Sequence, residues 1–396
     1  MEAKMQNQEQ NEKIIDDLLQ FSLGIISGKP GKDLIDKYQD SLKKITPQIM
    51  IAMEKRQLER GISPAKIKQH IEKVMNVIYP YLADYQWQKP PEGHPLYYYM
   101  LENRELEKIL QKLKQALSQQ DLDQTKKLIA SLSEMENHYL RKENILFPYL
   151  ERIWENHQPL AVMWSLQDDI RSKWKILQKI AEQEDVFSAS FHKEMGQLFF
   201  LMYGMISKEE LVVFPLAMET VTAAETWQKM QNQAAELGYS YIAAPQADSS
   251  ATHQAQPKLS QLFWQVETGE LSKDQLDILL NHLPLDLTFV DEHDRVRYFS
   301  RPQERFFPRS PAIIGRHVHN CHPPESVHIV EKIISEFRAG SKDEAKFWFK
   351  MRGKFLLIRY FAMRDNQGNY RGVLEVGQDI SEIQKLSGEQ RLLDWE

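Results

Sequence analysis

From about Ile14 to Trp227, apolar residues recur three and four positions apart with few glycines between them, the periodicity of amphipathic helices. Ser63–Pro64 forms a cap and first-turn pair for a helix running to Ile78, and four longer segments follow: His94–Gln119, Asp121–Trp154, Leu160–Glu182 and Ala189–Glu219. Beyond residue 285 the period shortens to two. Leu287 and Phe289 precede an Asp-rich turn at Asp291–Asp294, and Val296–Phe299 resume the strand, a hairpin signal. A helix over Pro323–Phe337 leads into strands Ala345–Met351, Phe355–Arg364 and Tyr370–Val376, separated by Arg352–Gly353–Lys354 and Asp365–Asn366–Gln367–Gly368. The pattern predicts a multidomain chain, with an all-α N-terminal half followed by an α+β domain.

Two breaks divide it. Ala243–Lys258 carries prolines, small residues and glutamines without a hydrophobic period and reads as a linker. Gln88–Pro95, with three prolines and a glycine, separates a small helical module from the four longer helices. The expected divisions are 1–88, a helical module; 89–242, a four-helix bundle; 243–258, the linker; and 259–396, the α+β domain.

A length of 396 residues suits two or three domains, and 42% hydrophobic with 27% charged residues excludes wholesale disorder. A formal net charge of −6 supplies no broad basic field, so nucleic acid is not an expected partner. The single Cys321 cannot form an internal disulfide, which suits a reducing cytoplasm, and no apolar run is long enough for a signal peptide or membrane span. After Ile380 only one helix, Glu382–Trp395, is expected, so a signal would leave through a protein partner or a homodimer.

The helical half repeats itself. His138-Tyr-Leu-Arg-Lys-Glu143-Asn-Ile-Leu-Phe-Pro148 matches Met205-Ile-Ser-Lys-Glu-Glu210-Leu-Val-Val-Phe-Pro215. On a regular wheel of about 100° per residue, Ile129, Leu132, Tyr139, Phe147 and Leu150 surround Glu143, while Phe199, Tyr203, Ile206, Phe214 and Ala217 surround Glu210. Glu102 lies on the stripe of Leu106, Ile109 and Leu113, and Asp169 borders that of Val162, Leu166 and Ile170, so each helix offers one carboxylate inward. Buried carboxylates must be protonated, paired with cations or bound to metal. An oxygen-rich set suits iron or manganese, as one ion or two. The alternative pairs the acids with Lys142, Arg171, Lys173 or Lys208.

The motifs His138…Glu143-Asn-Ile-Leu-Phe-Pro148 and Lys208-Glu-Glu-Leu-Val-Val-Phe-Pro215 resemble the hemerythrin-like cation-binding bundles. With Gly93-His-Pro95, Met163-Trp164 and Asp168-Asp-Ile-Arg171, the chain resembles a bacterial subgroup in which a domain of unknown function precedes the bundle and a PAS domain follows. The resemblance implies a non-haem iron site tied to oxygen, nitric oxide or iron handling, with candidate metal ligands His94, Glu102, His138, Glu143, Asp169 and Glu210. His94 would reach in from the bundle end or simply cap the first helix. The chain departs from the family where His and Glu usually stand four apart: Lys142 follows His138 at that spacing, and Met205 replaces the second histidine. His138 also points about 140° away from Glu143 on a regular wheel, so the two do not readily share an ion.

The hairpin, helix and meander resemble a PAS domain, helped by Gly315-Arg316, Cys321-His-Pro-Pro324 and the closing Gly372-Val-Leu-Glu-Val-Gly-Gln-Asp-Ile380. That resemblance implies a pocket holding haem, flavin, a metabolite or nothing. Cys321 and His322, just before a helix start, are the cofactor-binding candidates, with haem as one ligand; the plainer reading of Cys321 is a packed small residue. Phe347, Trp348, Phe349, Phe355, Tyr360 and Phe361 fit a sheet core better than a pocket lining, and Arg301, Arg305, Arg309 and Arg316 make a basic run. Three functions follow. The first is an iron-dependent cytoplasmic sensor of a gas, redox state or iron. The second is a carboxylate-bridged iron oxidoreductase or nitric oxide scavenger with Glu143 and Glu210 bridging metals, and the third a metal-free scaffold with a haem- or metabolite-binding PAS domain.

Overall fold

The computed structural model describes residues 2–183, 187–245, 263–266 and 269–389. Most of the expected linker (246–258) and the end of the expected helix Glu382–Trp395 (390–395) lie outside the described residues. The chain forms two compact units, Met1–Pro245 with Pro323–Glu325, and Gln246–His322 with Ser326–Glu396.

The first unit is helical throughout. Helices α1 (Glu2–Ile26), α2 (Gly31–Leu42), α3 (Pro47–Glu59) and α4 (Pro64–Ala83) precede α5 (Pro95–Ser118), the first helix of the bundle. Ser63 Oγ accepts the Lys66 N–H at 3.3 Å, with Pro64 at the first helical position, as expected. The helix they start continues past Ile78 to Ala83, through Pro80. The segment between α4 and α5, which includes residues 88–94 of the expected break, is not helical, but it does not separate two cores. Leu18, Phe21 and Ile78 belong to the same buried cluster as Leu106, Phe147, Leu198 and Phe214.

The expected helix Asp121–Trp154 is segmented into α6 (Leu122–Ser131), a 3-10 turn at Leu132–Met135, α7 (Glu136–Arg141), a π-helical turn at Lys142–Leu146 and α8 (Phe147–Ile153). Next comes α9 (Pro159–Glu182). The fourth segment repeats the device: α10 (Ala189–Lys208), a π turn at Glu209–Val213, then α11 (Phe214–Thr220), with α12 (Ala224–Leu237) closing the unit. Each π turn runs directly into Phe-Pro. Pro148 and Pro215 have no N–H for the carbonyl four residues back and would clash with it, and a locally widened turn relieves both problems.

In the second unit, β1 (Phe263–Val266) and β2 (Gly269–Ser272) pair antiparallel ahead of α13 (Lys273–His282), whose start is fixed by reciprocal Ser272 and Gln275 bonds. The main sheet is antiparallel, in the order β4-β3-β7-β6-β5, from β3 (Asp286–Asp291), β4 (Val296–Phe299), β5 (Glu344–Met351), β6 (Lys354–Arg364) and β7 (Tyr370–Asp379). The remaining helix, α14 (Pro324–Ala339), contributes Ile334 and Phe337 to a core with Val290, Val296 and Val373. Arg352 (φ 50°) and Gly353 (φ 78°) make the tight β5–β6 turn that the Arg-Gly-Lys signal predicted.

Two expectations need correction. Phe347, Trp348 and Phe349 lie exposed on the edge strand β5 and do not form a core. After Ser381 the described chain makes only a 3-10 turn, Ile383–Lys385, where a helix was expected. No helix among the described residues is long and apolar enough to cross a membrane.

Candidate functional site

The bundle's polar centre is built on α5, α7, the two π turns and α9. Glu102 on α5 is fully buried, and Arg141 Nη2 donates to both its carboxylate oxygens. Glu102 also meets His138 Nδ1 at 2.8 Å and accepts the Ser240 N–H at 2.6 Å. The other ring nitrogen of His138 lies 3.1 Å from Glu209 Oε2, so the imidazole bridges two carboxylates on different helices. Glu209 further accepts from Asn103 Nδ2 at 3.0 Å and is ion-paired with Lys142 Nζ. Burial alone would raise the Glu209 carboxyl, but Lys142 and His138 beside it hold it at about 2.

A second pair sits on the α9 side. Arg171 Nη1 donates to Glu143 Oε1 at 2.9 Å and to Asp168 Oδ1 at 2.8 Å, while its Nε donates to Glu136 at 3.0 Å. Gln167 joins the two clusters: with its amide oriented to satisfy both neighbours, it donates to Glu143 at 2.6 Å and accepts from Lys142 Nζ at 2.8 Å. Burial pushes Glu143 up to about 7, Arg171 opposing. Farther along α10, Lys208 Nζ reaches Glu54 of α3 at 2.7 Å, both buried, and Lys173 reaches Glu194 at 2.5 Å.

Of the six expected ligands, only Glu102 and His138 meet. As the wheel indicated, His138 and Glu143 face different partners. His94 caps α5 through Nδ1, which accepts the Leu96 N–H at 3.2 Å, and its ring lies 4.4 Å from that of Trp227, tilted against it by 58°. Asp169 is partly exposed and pairs with Lys68 at 2.8 Å. Glu210 is half-buried, with a long 3.4 Å contact to Asn103, whereas its neighbour Glu209 is wholly inside. The regular wheel missed this because the π turn adds a residue: Phe214 continues the face of Met202, Met205 and Glu209, not that of Phe199 and Tyr203. Glu209 was discoverable from its spacing, four after Met205 and five before Phe214.

In the sheet unit, a cavity of about 250 Å³ is walled by Ile329, Val330 and Ile333 of α14 and by Phe347 and Tyr360 of the sheet. Its few polar groups include His322 and Glu375. The His322 Nδ1–H donates to the Val318 carbonyl at 3.0 Å, and burial lowers the ring to about 4. Cys321 instead packs half-buried against the core, its Sγ 3.7 Å from the His317 carbonyl. Of the arginine run, Arg305 pairs with Asp286 at 2.9 Å and Arg316 is buried.

The His322 shift fixes a pH dependence. A folded-state value below the ordinary ~6.5 means that protons bind the unfolded chain first, so this contribution to stability is complete above about pH 6.5 and falls as pH drops towards 4. The loss reaches at most about 3 kcal/mol. Urea titrations at pH 7 and pH 4.5 should show a smaller acid loss in His322→Gln; parallel curves for both proteins would contradict the assignment.

Taken by class, the molecule joins a helical bundle with a buried charged centre to a pocketed five-stranded sensor fold. The first matches the hemerythrin HHE cation binding domain over residues 94–217, and the second the PAS domain over 276–381. The chain thus carries a hemerythrin HHE domain, of a cation-binding kind, and a PAS domain, which together support a sensory or regulatory protein. Among solved structures it is similar to a C-terminal domain from Streptococcus mutans (36% identity over 32% of this chain and 98% of that one, TM-score 0.31). It is also similar to a sensory box sensor histidine kinase from Vibrio cholerae (13% identity, 27% and 90% covered, TM-score 0.22). A third is the PAS domain of a protein from Colwellia psychrerythraea (16% identity, 28% and 97% covered, TM-score 0.23). A search of curated proteins finds no match.

The residues at the bundle centre do not fit a resident metal ion. The family implies a cation, typically iron, yet both oxygens of Glu102 and of Glu209 are taken up by Arg141, His138, Ser240, Lys142 and Asn103. Among the described residues, no group of three or more His, Cys, Asp or Glu is placed to hold a metal. Protein cations sit where an ion would need open carboxylates.

Proposed function

We propose that the protein is a sensory regulator acting in a reducing compartment, the cytoplasm, whose signal is a small, largely apolar molecule bound in the PAS pocket and passed to a protein partner or a second copy of the chain. The carrying observation is the cavity of about 250 Å³ between α14 and the sheet, apolar except for a few groups such as His322 and Glu375. Pockets of this make-up bind by burying apolar surface and use their few polar groups to orient the ligand. The volume favours a compact molecule over haem or flavin. Iron sensing and iron-dependent oxidation in the bundle have less support, because the carboxylates they require are already paired.

Indole is a suitable probe, being apolar, compact and furnished with one N–H donor. Calorimetry on the full chain should detect its binding, and Val330→Trp, which fills the cavity from α14, should weaken it at least about tenfold. Equal affinity in both proteins would remove the pocket from the proposal.

A further inference from the structure

We propose that Lys142 is the cation of this bundle: its ammonium neutralises Glu209 from inside the protein, and the single exchange Lys142→Glu opens a latent metal site. The internal repeat carries the argument. Lys142 and Glu209 each open a π turn, and each stands five residues before the Phe of a Phe-Pro pair, so they are equivalent positions on two helices of one bundle. The equivalence brings their side chains together: both are fully buried and ion-paired. One member of a pair of inward positions is thus basic and the other acidic, and the charge an external cation would balance is balanced by the chain.

The surroundings support the same role. Gln167 offers its carbonyl oxygen to Lys142 Nζ at 2.8 Å, and Lys142 lies 4.8 Å from the centre of the Tyr139 ring, so the ammonium has partners beyond its carboxylate. Arg141, the residue before it, does the same for Glu102, and Arg171 for Glu143. Each buried acid of the centre has a cation of its own. Exchanging Lys142 for Glu removes one cation and adds one carboxylate beside Glu209 and His138, leaving two acids and an imidazole facing each other without a counter-ion, a donor set suited to a divalent transition metal.

The test uses the full chain grown with iron and manganese in excess. Metal content by mass spectrometry and melting temperature with and without chelator are read for the parent and for Lys142→Glu. The parent should carry no stoichiometric metal and melt alike with and without chelator. The variant should gain metal and lose thermal stability when it is stripped. A parent holding stoichiometric metal would overturn the proposal, as would a folded variant that takes up none. Should Lys142→Glu fail to fold, Lys142→Met and Lys142→Met/Glu209→Gln decide. The single variant leaves a buried carboxylate unpaired and should melt lower, and the double should recover much of the loss. A double variant no more stable than the single would show that Lys142 is not the counter-ion.

Discussion

Gly372→Ala is expected to unfold the sheet domain while leaving the helical unit intact. Gly372 sits in β7 at φ +130°, where an L side chain is strained, and it is paired on one side with Asp291 of β3 and on the other with Met363 of β6. A Cβ there would lie 2.0 Å from the Val290 carbonyl oxygen and within 3.0 Å of two backbone atoms of Asp291. Those atoms belong to a strand hydrogen-bonded on both edges, between β4 and β7, so they cannot retreat without breaking the ladder. Overpacking plus backbone strain of this kind costs about 4 kcal/mol or more, a large part of a domain's stability. Gly377→Ala provides the contrast. Its added Cβ meets only side-chain atoms, of Phe306, Asp286 and Ile358, at 3.3–3.4 Å, and the loss should stay near 1 kcal/mol. Near-UV circular dichroism with urea titration reads both. A Gly372→Ala protein with an undiminished sheet-domain transition would mean that the β3–β7 approach is looser than described.

Much of this domain was legible in the sequence because strand signals are local. Alternating residues mark β6 and β7, and turn residues that favour a left-handed backbone mark their ends: Gly353 and Gly368 both have positive φ. The exposed aromatics of β5 were misread because alternation shows that two faces differ, but does not say which strand lies at an edge.

The bundle was legible one level down. Its helices, the Phe-Pro repeat and the inward place of Glu102 follow from a period near 3.6, and residues 94–217 match the family that the repeat pointed to. Three things did not follow. The period breaks at each π turn, which moved the inward residue from Glu210 to Glu209. The closing segment that brings Ser240 onto Glu102 is far away in sequence, without a motif. The bond that makes Glu102 structural, to Arg141, joins α5 to α7, and cross-helix pairing of charges is invisible to any one helix's wheel. The four cations named as alternative partners, Lys142, Arg171, Lys173 and Lys208, each meet an acid, though Lys142, Lys173 and Lys208 pair with Glu209, Glu194 and Glu54, none of them an expected ligand.

The register correction makes a second large prediction, at Glu102 and Glu209 against Glu210. Glu102→Ala strips the Arg141 guanidinium, itself 1% exposed, of its carboxylate and leaves the Ser240 N–H and His138 Nδ1 without their acceptor. The rings of Tyr99 and Tyr239, 4.6 and 4.3 Å from the guanidinium, offset part of that cost but cannot replace a charge-assisted bond. Breaking one side of a buried ion pair costs about 3–5 kcal/mol, which for a unit of this size lowers the melting temperature by about 6–20 °C. Glu209→Ala should behave likewise, since it strands Lys142 with no exposure to water. Glu210→Ala should cost about 1 kcal/mol or less, because that side chain is half-buried and its hydrogen bond from Asn103 is long, 3.4 Å. Adding Arg141→Met to Glu102→Ala should restore stability, because an apolar side chain of similar length needs no counter-ion. The ordering separates the two registers: if Glu210→Ala proved the costly substitution and Glu209→Ala the mild one, the π turn would not displace the inward face and the regular wheel would be the better guide to this helix.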